Sequence, residues 1–443
     1  MKSPFQPVDG SLVAPRGYLA GGVFCDVKRL GTGKGSHRGP KRDLALVVSS
    51  VPAVAAGMFT TNQVCAAPVK LCVQHLRQSR AQAIIVNSGN ANACTGPQGL
   101  ADAREMASCT ALQLLLHPTQ VLVASTGRIG IKMPMARVRR GIRHLACQLD
   151  DTPAAAAPAA EAILTSDTRP KSLAVEFALG GKRVRIGGIC KGAGMIQPGM
   201  SPTGARPAAL PRGLHATMLC FLTTDVAIAP APLRAALREA VAASFNRITV
   251  DGDMSTNDTV LILANGLAEN KPPAMGGGDW KRFHAALHHV CHELALMIVR
   301  DGEGVHRVVT VRVQGARSDA QADAAARAVG NSALVKTSWH GGDPNWGRIM
   351  DALGYSKATI VESRVDIGYS APGAREILFS LRKGQPTRAT FRALCAAVAP
   401  REFDLHIHLN SGRGAAVLHA CDLTESYVEF NKGDVGNLAS LGG

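Results

Sequence analysis

The stretch HATMLCFLTTD, residues 215–225, sets two small residues, Ala216 and Thr217, ahead of an apolar run that closes on two more hydroxyls and an acid. Thr217 is either a β-branched residue opening a buried strand or a nucleophile. A nucleophilic hydroxyl needs a base, and the tetrahedral oxyanion it makes needs preorganised donors. Three stretches rich in glycine, hydroxyls and amides sit at predicted strand ends: NSGNAN (87–92), STGRIG (125–130) and KGAGMIQPGM (191–200). STG supplies plausible oxyanion donors.

Other candidates carry less. GTGKGS (31–36) has the look of a phosphate-cradling loop, but that pattern wants Gly where Lys28 stands and Ser or Thr where Gly35 stands. His288 and His292 have the i, i+4 spacing that places two imidazoles on one metal, yet no carboxylate completes an HExxH pattern. A polar helix face is the expectation for them and for His289. His406 and His408 alternate along a predicted strand and share one face. No metal and no cofactor is expected.

These side chains need a scaffold, and its elements are legible. Short Val/Ile-rich segments bounded by Gly, Asn or Asp predict strands at 43–48, 83–87, 120–124, 183–188, 307–313 and 404–409. Helical periodicity marks 99–116 and 280–299, the latter through Trp280, Phe283, Leu287, Val290 and Leu294. Stretches rich in Pro, Gly or Ala at 151–159, 201–213 and 270–278 read as loops. The fold class is mixed α/β, and no internal repeat is visible.

Composition narrows the function classes. The 443 residues suffice for two domains or one interleaved unit, and 46% hydrophobic with 19% charged residues is a globular balance. The net charge of +16 admits a polyanion or an anionic substrate. Basic residues are dense only at 28–42 and aromatics are 4%, too few for base-stacking platforms, so no nucleic-acid partner is expected. Eleven cysteines without a CxxC pair point to reduced thiols. No leader and no run of about 18 apolar residues is evident, so neither a membrane nor an export role is expected.

The sequence closely resembles one family. PRGY (15–18), FTTN (59–62) with AAPV (66–69), NSGNAN, STGRIG, LTSDTRPK (164–171), KGAGMIQP, ATML with FLTTD, DGDMSTNDT (251–259), RDGEG (300–304), GGDPNWGRI (341–349) and CDLTESYVEFN (421–431) are similar, in order, to the motifs of the ArgJ family. Those enzymes are glutamate N-acetyltransferases, or ornithine acetyltransferases, of arginine biosynthesis. The resemblance implies a two-lobed α/β sandwich of the ArgJ and DmpA type, an N-terminal-nucleophile fold whose precursor cuts itself before a threonine. By position in ATML, the cut falls between Ala216 and Thr217. It gives an N-terminal chain, 1–216, and a C-terminal chain, 217–443, interleaved in one catalytic unit and assembling as a heterotetramer.

The implied chemistry is acetyl transfer from N-acetylornithine to Thr217 and on to glutamate, with acetyl-CoA as an optional second donor. Thr126 and Gly127 match the oxyanion hole. Thr165, Lys191, Glu303 and Asn431 match substrate-binding positions, as Thr217 does. Lys191 and Glu303 suit a zwitterionic substrate, one meeting a carboxylate and the other an ammonium. Asp251, Asp253 and Asn257 either orient the site or cap turns, and the structural role is preferred. Cytoplasm is the expected compartment, or the mitochondrial matrix in a eukaryote.

Two departures stand out. In the family, ATML follows at once on the Met of the KGxGMIxPxM stretch, whereas here SPTGARPAALPRGLH (201–215) intervenes. Doubling a loop's length costs only about 0.6 kcal/mol; holding the Ala216 carbonyl against the hydroxyl is the harder demand. At the C-terminus, Gly436 stands where the family commonly has Ser or Thr. Two alternatives stay open: an unprocessed homologue serving as a scaffold or binding protein, and an N-terminal-nucleophile amidohydrolase.

Overall fold

The computed structural model describes residues 4–28, 41–205 and 218–432. The GTGKGS loop, most of the insertion, Ala216, Thr217 and Gly436 lie outside the described residues. The chain divides into two compact units, one of 1–246, 254–298 and 433–443, the other of 247–253 and 299–432.

Among the described residues, the first unit is built on ten strands: β1 (Gln6–Pro7), β2 (Tyr18–Val23), β3 (Leu44–Thr60), β4 (Arg80–Asn90), β5 (Val121–Arg128), β6 (Lys171–Leu179), β7 (Lys182–Lys191), β8 (Met200–Ser201), β9 (Leu219–Thr224) and β10 (Thr259–Ala264). Their order is β1-β6-β7-β9-β10-β3-β4-β5, with β2 and β8 also on β3. Alternate residues feed two cores. Ala45, Val47, Ile84, Val86, Leu122 and Ala124 join one cluster. Leu44, Leu46, Ala83, Ile85, Val121 and Val123 join another. Burying the Val, Leu and Ile side chains among them contributes about 1.5–3 kcal/mol each. Helices Gly96–Leu114 and Met135–Ala146 pack on the second face, and helix Ala156–Ala162 on the first.

All six expected strands and both expected helices are present, with shifted ends. The first strand was expected to stop at 48, but β3 runs on to Thr60, its pairing with β4 broken by an irregularity between Val48 and Ala53. The 151–159 segment, expected as loop, carries a 3-10 turn at Pro153–Ala155 and the start of helix Ala156–Ala162. That helix comes so close to β2 that a Cβ on Gly22 would stand 2.1 Å from the Pro158 carbonyl oxygen.

The second unit pairs six strands, β11 (Val308–Ala316), β12 (Asp366–Ser370), β13 (Leu378–Arg382), β14 (Gln385–Pro386), β15 (Glu402–His408) and β16 (Gly414–Cys421), in the order β14-β13-β12-β15-β11-β16. One face is apolar: Val309, Val311, Val313, Phe403, Leu405 and Ile407 pack with helix Asp319–Asn331. The other is polar, with Arg312 on Asp404 at 2.8 Å and Ser370 on His406 at 2.9 Å.

Candidate active site

Strand β9 begins two residues after Thr217, between β7 and β10. Leu219 lies opposite Lys191 on β7 and beside Thr259 on β10. The hydroxyls and acid closing FLTTD are structural: Thr223 and Thr224 donate to the carbonyls of Leu12 and Arg185, both at 2.7 Å. Asp225 accepts the amides of Arg16 and Arg185. PRGY serves the same frame, its buried Tyr18 hydroxyl bonding the carbonyls of Thr224 and Leu263.

The NSG and STG stretches meet as the ends of β4 and β5, with Ser88 opposite Thr126 and Gly89 opposite Gly127. Gly127 has φ +129°, and a Cβ there would lie 2.4 Å from the carbonyl carbon of Gly89. Only glycine fits both demands. Thr126 is 1% exposed, and its Oγ1 has no hydrogen-bond partner among the described residues. A buried hydroxyl so left forfeits about 1–3 kcal/mol unless a ligand completes it.

The dipeptide Asn257–Asp258 ties this strand end to Met218, the residue after Thr217. Asn257 donates through Nδ2 to the carbonyls of Ala91 and Ser125, both at 2.7 Å. The adjoining Asp258 accepts the Met218 amide through Oδ1 at 2.6 Å, and the Thr259 amide bonds the Met218 carbonyl. Residues next to Thr126 and next to Thr217 are thus held by consecutive side chains. Asn257 has a structural role, joining the backbone after β4 to that of β5. Asp258 is the residue sequence reasoning missed: it is fully buried, its Oδ2 has no partner among the described residues, and burial pushes its carboxyl well above the usual range despite the nearby Lys191. DGDMSTNDT contains it, but its link to Met218 spans 40 residues and leaves no local signature.

Thr165 and Lys191 converge on Asp167. The carboxylate accepts the amides of Thr165 (3.1 Å) and Gly192 (2.7 Å), stands 2.6 Å from Lys171 Nζ and 3.9 Å from Lys191 Nζ, and is fully buried with both lysines at most 2% exposed. Burial opposes its charge, but Lys191, Lys171 and the Gly192 amide outweigh it and hold the carboxyl far below the ordinary value. Two lysine ammonium groups around one carboxylate make a region suited to an anionic group.

Glu303 and Asn431 belong to the second unit. There Asn431 Nδ2 donates to Glu303 Oε2 at 2.8 Å and to the Tyr427 carbonyl. Thr424 caps helix Glu425–Asn431 by accepting the Tyr427 amide, and its hydroxyl donates to the Gly304 carbonyl at 2.8 Å, joining RDGEG to CDLTESYVEFN. The Tyr427 hydroxyl donates to Asp251. His288 and His292 stack with ring centroids 5.8 Å apart; metal-donor side chains gather instead in the second unit, at His306, His340 and Asp422. All eleven cysteines are described, and none is in a disulfide.

A profile of the ArgJ family matches residues 28–433. The chain belongs to the ArgJ family. An arginine biosynthesis bifunctional protein ArgJ from Symbiobacterium thermophilum is 45% identical over 422 residues, covering 95% of this chain and 98% of that one. A protein of the same description from Shouchella clausii is 41% identical over 431 residues, 97% of each chain. Among solved structures, an ornithine acetyltransferase complexed with ornithine from Mycobacterium tuberculosis is 36% identical over 43% of this ArgJ chain and 96% of its own, with a TM-score of 0.39. No helix among the described residues is long and apolar enough to cross a membrane.

Proposed function

We propose that this ArgJ-family enzyme of arginine biosynthesis moves an acetyl group from N-acetyl-L-ornithine to L-glutamate through an acetyl ester on Thr217. The observation that carries acetyl transfer is the family match over nearly the whole chain. The steps below are supported by the Asn257–Asp258 joint.

In the precursor, the Thr217 hydroxyl attacks the Ala216 carbonyl. The acyl group passes from nitrogen to oxygen, and water cleaves the ester, leaving chains 1–216 and 217–443. The new α-amine, with an ordinary pKa near ~8, sits beside the hydroxyl and takes its proton as the oxygen attacks the acetyl carbonyl of N-acetylornithine. The Thr126 hydroxyl and the Gly127 amide receive the oxyanion. Collapse breaks the amide bond, the α-ammonium returns the proton to the departing nitrogen, and ornithine leaves. Glutamate then repeats the steps in reverse and departs as N-acetylglutamate.

Lys191 and Thr165 bind the substrate carboxylate side, and Glu303 with Asn431 binds an ammonium. Asp258 positions Thr217 by fixing the Met218 amide. Acetyl-CoA as a second donor, a heterotetramer of two chains of each kind and a cytoplasmic location complete the proposal. Self-cleavage despite the 201–215 insertion is its most exposed step. Intact-mass analysis tests it: wild type gives two chains parted at 216/217 and Thr217→Ala gives one. An intact wild type that still transfers acetyl groups would contradict the scheme.

A further inference from the structure

We propose that the second unit holds a divalent transition-ion site of the zinc class, formed by His306, His340 and Asp422. The three side chains come from distant parts of the sequence: His306 precedes β11, His340 lies in the last turn of helix Ala333–Gly341, and Asp422 follows β16. Each offers a ligand atom within 4.8 Å of the others.

The backbone holds the set in place. Asp422 Oδ1 accepts the His306 amide at 3.0 Å, and the Asp422 amide bonds the Arg307 carbonyl at 3.0 Å. Arg307 in turn donates to the carbonyls of Trp339 and His340. This leaves Asp422 Oδ2 as the second carboxylate oxygen, on a side chain with no exposure and with no hydrogen-bond partner among the described residues. Opposite it, at 3.4 Å, lies His340 Nδ1, on a side chain 24% exposed, and this nitrogen likewise has no hydrogen-bond partner among the described residues.

That spacing is close to the ~3.3 Å between two donors each ~2.0 Å from a tetrahedral ion. The His306 ring, its centroid 5.0 Å from that of His340, is exposed and offers a nitrogen within 4.8 Å of the other two ligand atoms as third ligand. Glu425 supplies the outer partner: its Oε2 stands 3.0 Å from His340 Nε2, the ring nitrogen that points away from Asp422 Oδ2. Two imidazoles and one carboxylate, with an open fourth position, make a donor set for Zn²⁺ or Co²⁺ rather than for Mg²⁺ or Ca²⁺. A bound ion would clamp the segment after β16 to the residues before β11. The site is independent of the acetyl-transfer reading.

The test uses the full-length protein, stripped with chelator, in a His288→Ala/His292→Ala background that removes the other closely spaced histidine pair. Titration with Zn²⁺ by calorimetry, and with Co²⁺ by its visible absorption, is expected to show one saturable equivalent per 443-residue protomer. His340→Ala and His306→Ala should weaken binding by at least about 10- to 100-fold. Asp422→Asn keeps an acceptor for the His306 amide and should weaken it likewise, and a cooperative thermal melt of the metal-free protein at the wild-type temperature certifies the fold of each variant. Absence of saturable binding in the parent, or binding unchanged in His340→Ala and His306→Ala, overturns the proposal.

Discussion

The candidate site residues of the two units, with the side chains that hold them, differ in the medium around them. In the first unit, the side chains of Thr126, Asp167, Lys191, Asn257 and Asp258 are buried, and Asp167, Asn257 and Asp258 hold backbone groups through short hydrogen bonds. In the second, Asn431 is exposed and Glu303 half-buried, and their hydrogen bond faces water. Buried polar groups interact in a low dielectric, so each partner lost there is costly, while an exposed pair contributes little. Under the proposed function, the buried group of the first unit should therefore tolerate substitution less well than the exposed pair of the second.

The largest expected effect tests the buried side. Asp167→Asn removes the carboxylate shared by Lys171 and Lys191 and should cost about 3–5 kcal/mol of stability at neutral pH. Its folded pKa is depressed, so the stabilisation is present above the ordinary carboxylate pKa and lost as pH falls into the acid range. The deficit of the variant should therefore shrink in acid. Asp258 has the opposite sign: its folded pKa is raised, so its contribution is full below about pH 4 and declines as pH rises. Asp258→Asn should gain on wild type in thermal melts between pH 4 and 7, and a pH-independent difference would remove Asp258 from the comparison.

Next in size, Thr126→Val should lower kcat by about 10²- to 10³-fold. Because the hydroxyl has no partner among the described residues, the same change should leave the melting temperature unchanged or higher. A destabilised variant would show that Thr126 is structural. The smallest effect belongs to the exposed side: Glu303→Gln and Asn431→Ala should shift stability by no more than about 0.5 kcal/mol while raising KM. Loss of kcat at unchanged KM would place them with the reacting atoms and erase the distinction between the units.

The sequence revealed elements with a local signature and hid those defined by burial on all sides. The six expected strands carry Val/Ile runs bounded by turn residues. LCFLTT and TVLILA, which became β9 and β10, are buried at every position, and a continuous apolar run does not separate strand from buried helix. The extension of β3 passes through Pro52 and Gly57, both poor strand residues. The helix Ala156–Ala162 was masked by the prolines around it, although Pro153 merely opens the preceding turn. Candidate residues were legible through motif context; the partners that hold them, Asp258 for Met218 and Asp167 for Lys191, depend on contacts the linear pattern does not encode.

The most direct measurement incubates purified enzyme with N-acetylornithine bearing a labelled acetyl group, quenches in acid and maps the label by peptide mass spectrometry. The mechanism predicts one acetyl group per active site on Thr217, at the N-terminus of a chain that begins there, and discharge of the label on adding glutamate. Label on another side chain, or glutamate acetylation by Thr217→Ala at an undiminished rate, would contradict it.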